Sequence, residues 1–206
     1  AAEAIMTTDT VPKTAEYHSP HHWAIGGMAK GAGMLAPALA TMLVVITTDA
    51  DIDAETADRA LRASTRVSFD RLDSDGCMST NDTVTLLASG ASGVQPTAAE
   101  FTDALQAVCG DLAKQLLADA GGADHEISIV VRNAATEDDA VEVGRSVARN
   151  NLFKAAVFGK DPNWGRVLAG VGTTSAVFDP ANLDVALNGV WVCRNSEPAE
   201  DPALID

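Results

Sequence analysis

Three sets of residues in this chain are of types that can do chemistry. His18, His21 and His22 share one polar loop with Ser19 and Pro20. Imidazoles ligate metals, but the loop brings no partnering cysteine, so no metal site is expected. Cys77, Cys109 and Cys193 are odd in number, widely spaced and form no C-x-x-C pair. Neither a disulfide framework nor a zinc site is expected of them, and a reducing cytosol suits them. The third set lies in Gly26-Gly27-Met28-Ala29-Lys30-Gly31-Ala32-Gly33 and, after Pro37, in Ala40-Thr41-Met42-Leu43. Lys30 is a cation among small residues, Gly31 and Gly33 mark tight backbone geometry, and Thr41 stands at the mouth of an apolar run. Each also has a plain reading: a surface lysine, a turn, an ordinary strand residue.

The elements that must position these residues are partly legible. Residues 42–48 are β-prone, end at Asp49 and lack polar alternation, which predicts a strand buried on both faces. Residues 1–12 read as the tail of a helix running into the turn Thr7-Thr8-Asp9-Thr10. Asp53 starts a helix to about Phe69. Thr97-Ala98-Ala99-Glu100 is a capping box, and Phe101, Leu105, Val108, Leu112 and Leu116 follow at helical steps until Gly121-Gly122. Ile127, Ile129 and Val131 alternate as in a strand. Thr136-Glu137-Asp138-Asp139 opens a helix whose acidic start suits the dipole. Residues 152–158 read as a strand, Asp161-Pro162-Asn163-Trp164 as a turn into a short helix, and 184–187 as a late strand. Ser79-Thr80-Asn81-Asp82 reads as a helix cap. Strands and helices mix without a strict βαβ rhythm, so the expected class is α/β (α+β layered), helices packed on mixed β-sheets.

Composition narrows the function. Hydrophobic residues make up 47 % and charged residues 21 %, a globular balance. The net charge of −15, from 29 acidic against 14 basic residues, argues against a nucleic-acid partner, whose phosphates need Lys and Arg. It equally disfavours an anionic membrane surface. The apolar run from Met42 to Ile46 is too short to span a bilayer.

The blocks themselves say more. Lys30-Gly31-Ala32-Gly33-Met34-Leu35-Ala36-Pro37-x-x-Ala40-Thr41-Met42-Leu43, followed by Thr47-Thr48-Asp49-Ala50, closely resembles the processing site of the ornithine acetyltransferases, or bifunctional glutamate N-acetyltransferases, of arginine biosynthesis. Ala4-Ile5-Met6-Thr7-Thr8-Asp9 resembles the family too, as does Asp75-Gly76-x-x-Ser79-Thr80-Asn81-Asp82-Thr83-Val84. So do Ala134-Ala135-Thr136-Glu137-Asp138-Asp139-Ala140 and Phe158-Gly159-x-Asp161-Pro162-Asn163-Trp164-Gly165-Arg166. The resemblance implies a self-processing, N-terminal-nucleophile-like acyltransferase fold. It implies cleavage between Ala40 and Thr41, with Thr41 then the catalytic nucleophile. Residues 1–40 would end an α chain and 41–206 would begin a β chain. A freed α-amine has an ordinary pKa of about 7.7–8.0 and can serve as base for its own hydroxyl.

The implied reaction is ping-pong acetyl transfer from N-acetylornithine to glutamate, with Thr7 and Lys30 contacting substrate beside Thr41. No cofactor or metal is implied; acetyl-CoA is a further donor in bifunctional members. The implied partners are the α and β chains of one precursor, as a heterotetramer of two each, in the cytoplasm. The family's oxyanion-hole Thr-Gly pair and its C-terminal substrate residues have no counterpart here, so the chain is expected to be the middle of a longer protein. Where relatives place a substrate-contacting Glu, this chain has Gly121, and Asp124-His125 replaces a usual Thr-Lys. Rival expectations are a related aminopeptidase that uses water as acceptor, and a non-catalytic fragment acting by chain association.

Overall fold

The computed structural model describes residues 1–33, 41–77 and 80–205, which form two compact units, Ala1–Glu126 and Ile127–Asp206. In the first, strands β1 (Lys13–His18), β2 (Ala24–Lys30), β3 (Leu43–Thr48) and β4 (Thr83–Ala88) form one sheet in that order. The β1–β2 and β2–β3 pairs are antiparallel and β3–β4 is parallel. A parallel pair needs a crossover, and helix α1 (Ala54–Arg66) lies in it, started by Asp53 accepting the Thr56 N–H at 2.6 Å.

Helix α2 (Ala98–Ala118) packs on the sheet. Its capping box is formed as read, with the Glu100 N–H donating to Thr97 Oγ1 at 3.2 Å and the Thr97 N–H to Glu100 Oε2 at 2.9 Å. Phe101, Leu105, Val108, Leu112 and Leu116 are all buried beside Ile25, Val44 and Ile46. Burying one such side chain contributes about 1.5–3 kcal/mol, so this face holds the unit together. Strand β3 is buried on one face only: Val44, Ile46 and Thr48 point inward while Leu43 and Thr47 are exposed. Strand side chains alternate, and the absence of polar alternation in the sequence misled on this point.

Gly27 on β2 is where helix and sheet come closest. A Cβ there would lie 2.9 Å from Leu112 Cδ1 and 3.2 Å from Val108 Cγ1, both side chains enclosed in the core. Gly27→Val is therefore expected to cost about 1–3 kcal/mol through overpacking, read as a lower urea midpoint. An unchanged midpoint would contradict the packing of α2 on β2.

In the second unit, helices α3 (Glu137–Arg149), α4 (Asn151–Phe158) and α5 (Trp164–Val171) enclose Val147, Phe153 and Val171. Strands β5 (Val185–Leu187), β6 (Val190–Arg194) and β7 (Glu197–Pro198) form a small antiparallel sheet. Residues 152–158 are thus helix, not strand. Asn150 decides this: its side chain accepts the N–H groups of Leu152 at 2.9 Å and Phe153 at 3.1 Å, a helix cap. Residues 127–131 do not join a sheet among the described residues; Ile129 and Val131 lie against Gly144 of α3. The start of α3 is as expected, with the Asp139 N–H bonded to Thr136 Oγ1, and β5 falls at the expected late strand. Helices on mixed sheets are the class read from the sequence. Among the described residues no helix is long and apolar enough to cross a membrane.

Candidate active site

Strand register collects the candidate residues at one end of the first sheet. Lys13 of β1 pairs with Ala29, Lys30 at the end of β2 pairs with Leu43 at the start of β3, and Leu43 pairs with Thr83 at the start of β4. Only Met42 separates Thr41 from Leu43, so the two lie at most about 7 Å of chain apart. Thr41 is exposed and Met42 is buried. Ala40, the residue expected on the other side of the scissile bond, lies outside the described residues, as does Ser79.

The backbone after Thr41 is fastened on both sides. The Met42 N–H donates to Asp82 Oδ1 at 2.7 Å and the Met42 carbonyl accepts the Thr83 N–H at 2.9 Å. Asp82 therefore does not cap a helix; the expected cap is an anchor between the starts of β3 and β4.

Lys30 is 5 % exposed, and its ammonium donates to Thr7 Oγ1 at 2.7 Å. Thr7 and Lys30, both singled out in the sequence, are thus in contact across 23 residues of chain. Beneath them lies a buried charge cluster. Asp9 Oδ1 accepts from Lys13 Nζ at 2.7 Å and from the Gly31 N–H at 2.6 Å; Oδ2 accepts the Thr7 N–H at 3.2 Å. Lys13 Nζ also donates to Asp119 Oδ2 at 2.5 Å, and Asp119 accepts from the Thr10 hydroxyl and N–H. Burial pushes the Asp9 carboxyl up, but the Gly31 N–H, the Lys13 ammonium and the Thr7 N–H outweigh it and hold it at about 2, from an ordinary 3.8. Asp119 is likewise lowered: burial opposes the shift, and Lys13 and Thr10 overcome it. Asp119 caps the C-terminus of α2, whose last turn has no basic residue; Lys13 supplies from β1 the cation that a helix C-terminus favours.

Asp9, Lys13, Asp119 and Asp82 were not named as site residues by sequence reasoning. The Asp9–Lys13 spacing is a helical one on a segment that is not helical, and Lys13 and Asp119 are 106 residues apart. Gly121 donates its N–H to the Ala32 carbonyl at 2.7 Å, and Gly122 has φ +80, left-handed geometry that glycine adopts at no steric cost.

Other candidates carry less chemistry. Burial pushes the Cys109 thiol up to about 12 and raises that of Cys193, so neither is a ready nucleophile. His18 and His21 lie exposed beside Glu16 and Glu100, and among the described residues no group of three or more His, Cys, Asp or Glu is placed to hold a metal ion. A cleft of about 550 Å³ in the second unit is lined by Asp138, Glu142, Arg145 and Arg149. These run from acidic at the start of α3 to basic at its end, the order that the helix dipole favours.

Comparison with known proteins agrees with the blocks read in the sequence. The model of the ArgJ family matches residues 1–204. The arginine biosynthesis bifunctional protein ArgJ of Streptomyces avermitilis is 65 % identical over 206 residues, covering 100 % of this chain and 54 % of that protein. Its counterpart in Thermobifida fusca is 62 % identical with the same coverage. This chain thus spans about half the length of the curated relatives it matches. The crystal structure of the arginine biosynthesis bifunctional protein ArgJ from Bacillus halodurans superimposes with a TM-score of 0.68 at 32 % identity, covering 78 % of each chain. The N-terminal-nucleophile-like fold that the family resemblance implied is carried by that match.

Proposed function

The chain belongs to the ArgJ family, and from that premise we propose that it carries the self-cleaving, acetyl-transferring centre of such a protein. In this reading the Thr41 hydroxyl attacks the Ala40 carbonyl carbon and the Ala40–Thr41 C–N bond breaks, leaving an ester and a new α-amine. Water then hydrolyses the ester to free both chains, residues 1–40 ending one and Thr41 beginning the other. The α-amine takes the hydroxyl proton as Thr41 Oγ1 attacks the acetyl carbonyl of N-acetylornithine, and ornithine leaves with a proton on its amine. Glutamate's amine attacks the acetyl ester and restores Thr41. Lys30 and Thr7 bind the amino-acid substrate, the ammonium meeting a carboxylate.

No resident cofactor enters this scheme, because the acetyl group travels on the enzyme; acetyl-CoA is a further donor in the bifunctional form. The partners are the two chains of one precursor, assembled as two of each, in the cytoplasm.

The observation that supports the reading best is the Lys30–Thr7 contact at 2.7 Å, on the strand end from which Thr41 emerges. The test is the intact mass of the full-length protein under denaturing conditions. Two pieces that sum to the precursor, one beginning at Thr41, are expected. A single uncut mass after long incubation would refute cleavage.

A further inference from the structure

We propose that Asp9 is the residue that positions Lys30 and Thr7 to receive a substrate carboxylate, and that Lys13 and Asp119 serve to hold Asp9. This rests on the reading above, in which Lys30 meets that carboxylate.

The Asp9 side chain has no exposure, and its two oxygens divide their work. Oδ1 is committed at short range, to the Gly31 N–H at 2.6 Å and to Lys13 at 2.7 Å. Oδ2 takes the Thr7 N–H at 3.2 Å and stands 3.9 Å from Lys30 Nζ. One carboxylate therefore fixes the backbone of Thr7, the backbone next to Lys30, and the field on the Lys30 ammonium.

The asymmetry between the two lysines is the informative part. Lys13 is locked, with Asp9 on one side and Asp119 at 2.5 Å on the other, and is itself wholly buried. Lys30 is held loosely. Among the described residues its ammonium donates one hydrogen bond, to Thr7 Oγ1. An ammonium has three donors, so two remain for a ligand. A carboxylate in direct contact with Lys30 would compete with an incoming carboxylate for those donors. At 3.9 Å it attracts the ammonium and limits its swing without occupying a donor. Lys13 keeps Asp9 at that distance by drawing Oδ1 away, and Asp119 keeps Lys13 in place. The cluster also explains why two lysines can be buried side by side: two carboxylates balance them, and buried charge persists only when paired.

The test uses the full-length, self-processed protein and compares N-acetylornithine with its carboxamide, which lacks the negative charge. The parent should prefer the carboxylate by about 10- to 100-fold in kcat/KM, the range of one charge-assisted hydrogen bond. Lys30→Met should bring that ratio close to one. Asp9→Asn should cut it at least about fivefold, mainly through KM for the carboxylate, because the amide still fits but no longer attracts the ammonium. Asp119→Asn, one contact further out, should cut it about two- to threefold, and it serves if Asp9→Asn does not fold. If either aspartate variant slows both substrates alike and leaves the ratio intact, Asp9 only braces the fold and the proposal is overturned. If Lys30→Met itself leaves the ratio intact, the carboxylate reading fails, and the proposal fails with it by a separate route.

Discussion

In a precursor carrying Thr41→Ala, the chain stays in one piece and acetyl transfer falls at least about 10⁴-fold, the scale on which an enzyme fails without its nucleophile. Two losses coincide in this variant. Alanine has no hydroxyl to attack the preceding carbonyl, so the α-amine that would later act as base is never released. Even a chain supplied already cut would have no oxygen to carry the acetyl group. Thr41→Ser separates the two requirements, because it keeps the hydroxyl; it should still cleave and still transfer, more slowly. Denaturing mass spectrometry reads the cleavage, and trapping of the acetyl ester by hydroxylamine reads the transfer. An alanine variant that cleaves at the same bond, or that transfers acetyl at a rate near the parent's, would remove Thr41 from the mechanism. Asp82 and Thr83 grip both polar groups of Met42, so the substitution at 41 changes the hydroxyl without loosening the strand start behind it.

What the sequence revealed of this fold followed the range of the interactions involved. Helix α2 was legible because its signals are local: Thr97 and Glu100 satisfy each other's backbone within one turn, and the buried stripe repeats at helical steps. Helix α4 was not, since a short, mostly apolar segment such as residues 152–158 fits a strand as well as a helix. The deciding cue is Asn150, whose side chain caps the helix. Strands β1 and β2 left no clear trace. Residues 24–30 include four small residues, Ala24, Gly26, Gly27 and Ala29, and they are a strand because β1 and β3 pair with them. The site divides in the same way. Thr41 and Lys30 stood out through resemblance to a family rather than through any local pattern, whereas Lys13 and Asp119 meet only after the sheet and α2 have packed.

That dependence on packing makes Lys13 the most vulnerable residue of the first unit. Lys13→Met is expected to cost about 3–5 kcal/mol, the usual loss when one partner of a buried ion pair is removed and the other remains. Methionine fills much of the same volume, so the loss reports charge rather than a cavity. Asp9 and Asp119 would be left as two buried carboxylates near the C-terminus of α2, where negative charge is unfavourable. Adding Asp9→Asn to Lys13→Met should recover part of the loss, because the amide oxygen can still accept the Gly31 N–H while one unpaired charge is gone. The pH dependence supplies the sharper check. Asp9 is held at about 2 in the folded protein against an ordinary 3.8, so its stabilising contribution is present above about pH 4 and is lost as pH falls through about 2, roughly 2 kcal/mol in all. Asp119 acts in the same direction. Without Lys13 neither carboxyl is held down so far. The gap in urea midpoint between parent and variant should therefore be widest above pH 4 and narrow steadily toward pH 2. A gap that stays constant across that window, or a variant within about 1 kcal/mol of the parent at neutral pH, would mean that the Asp9–Lys13–Asp119 cluster does not hold this end of the sheet together.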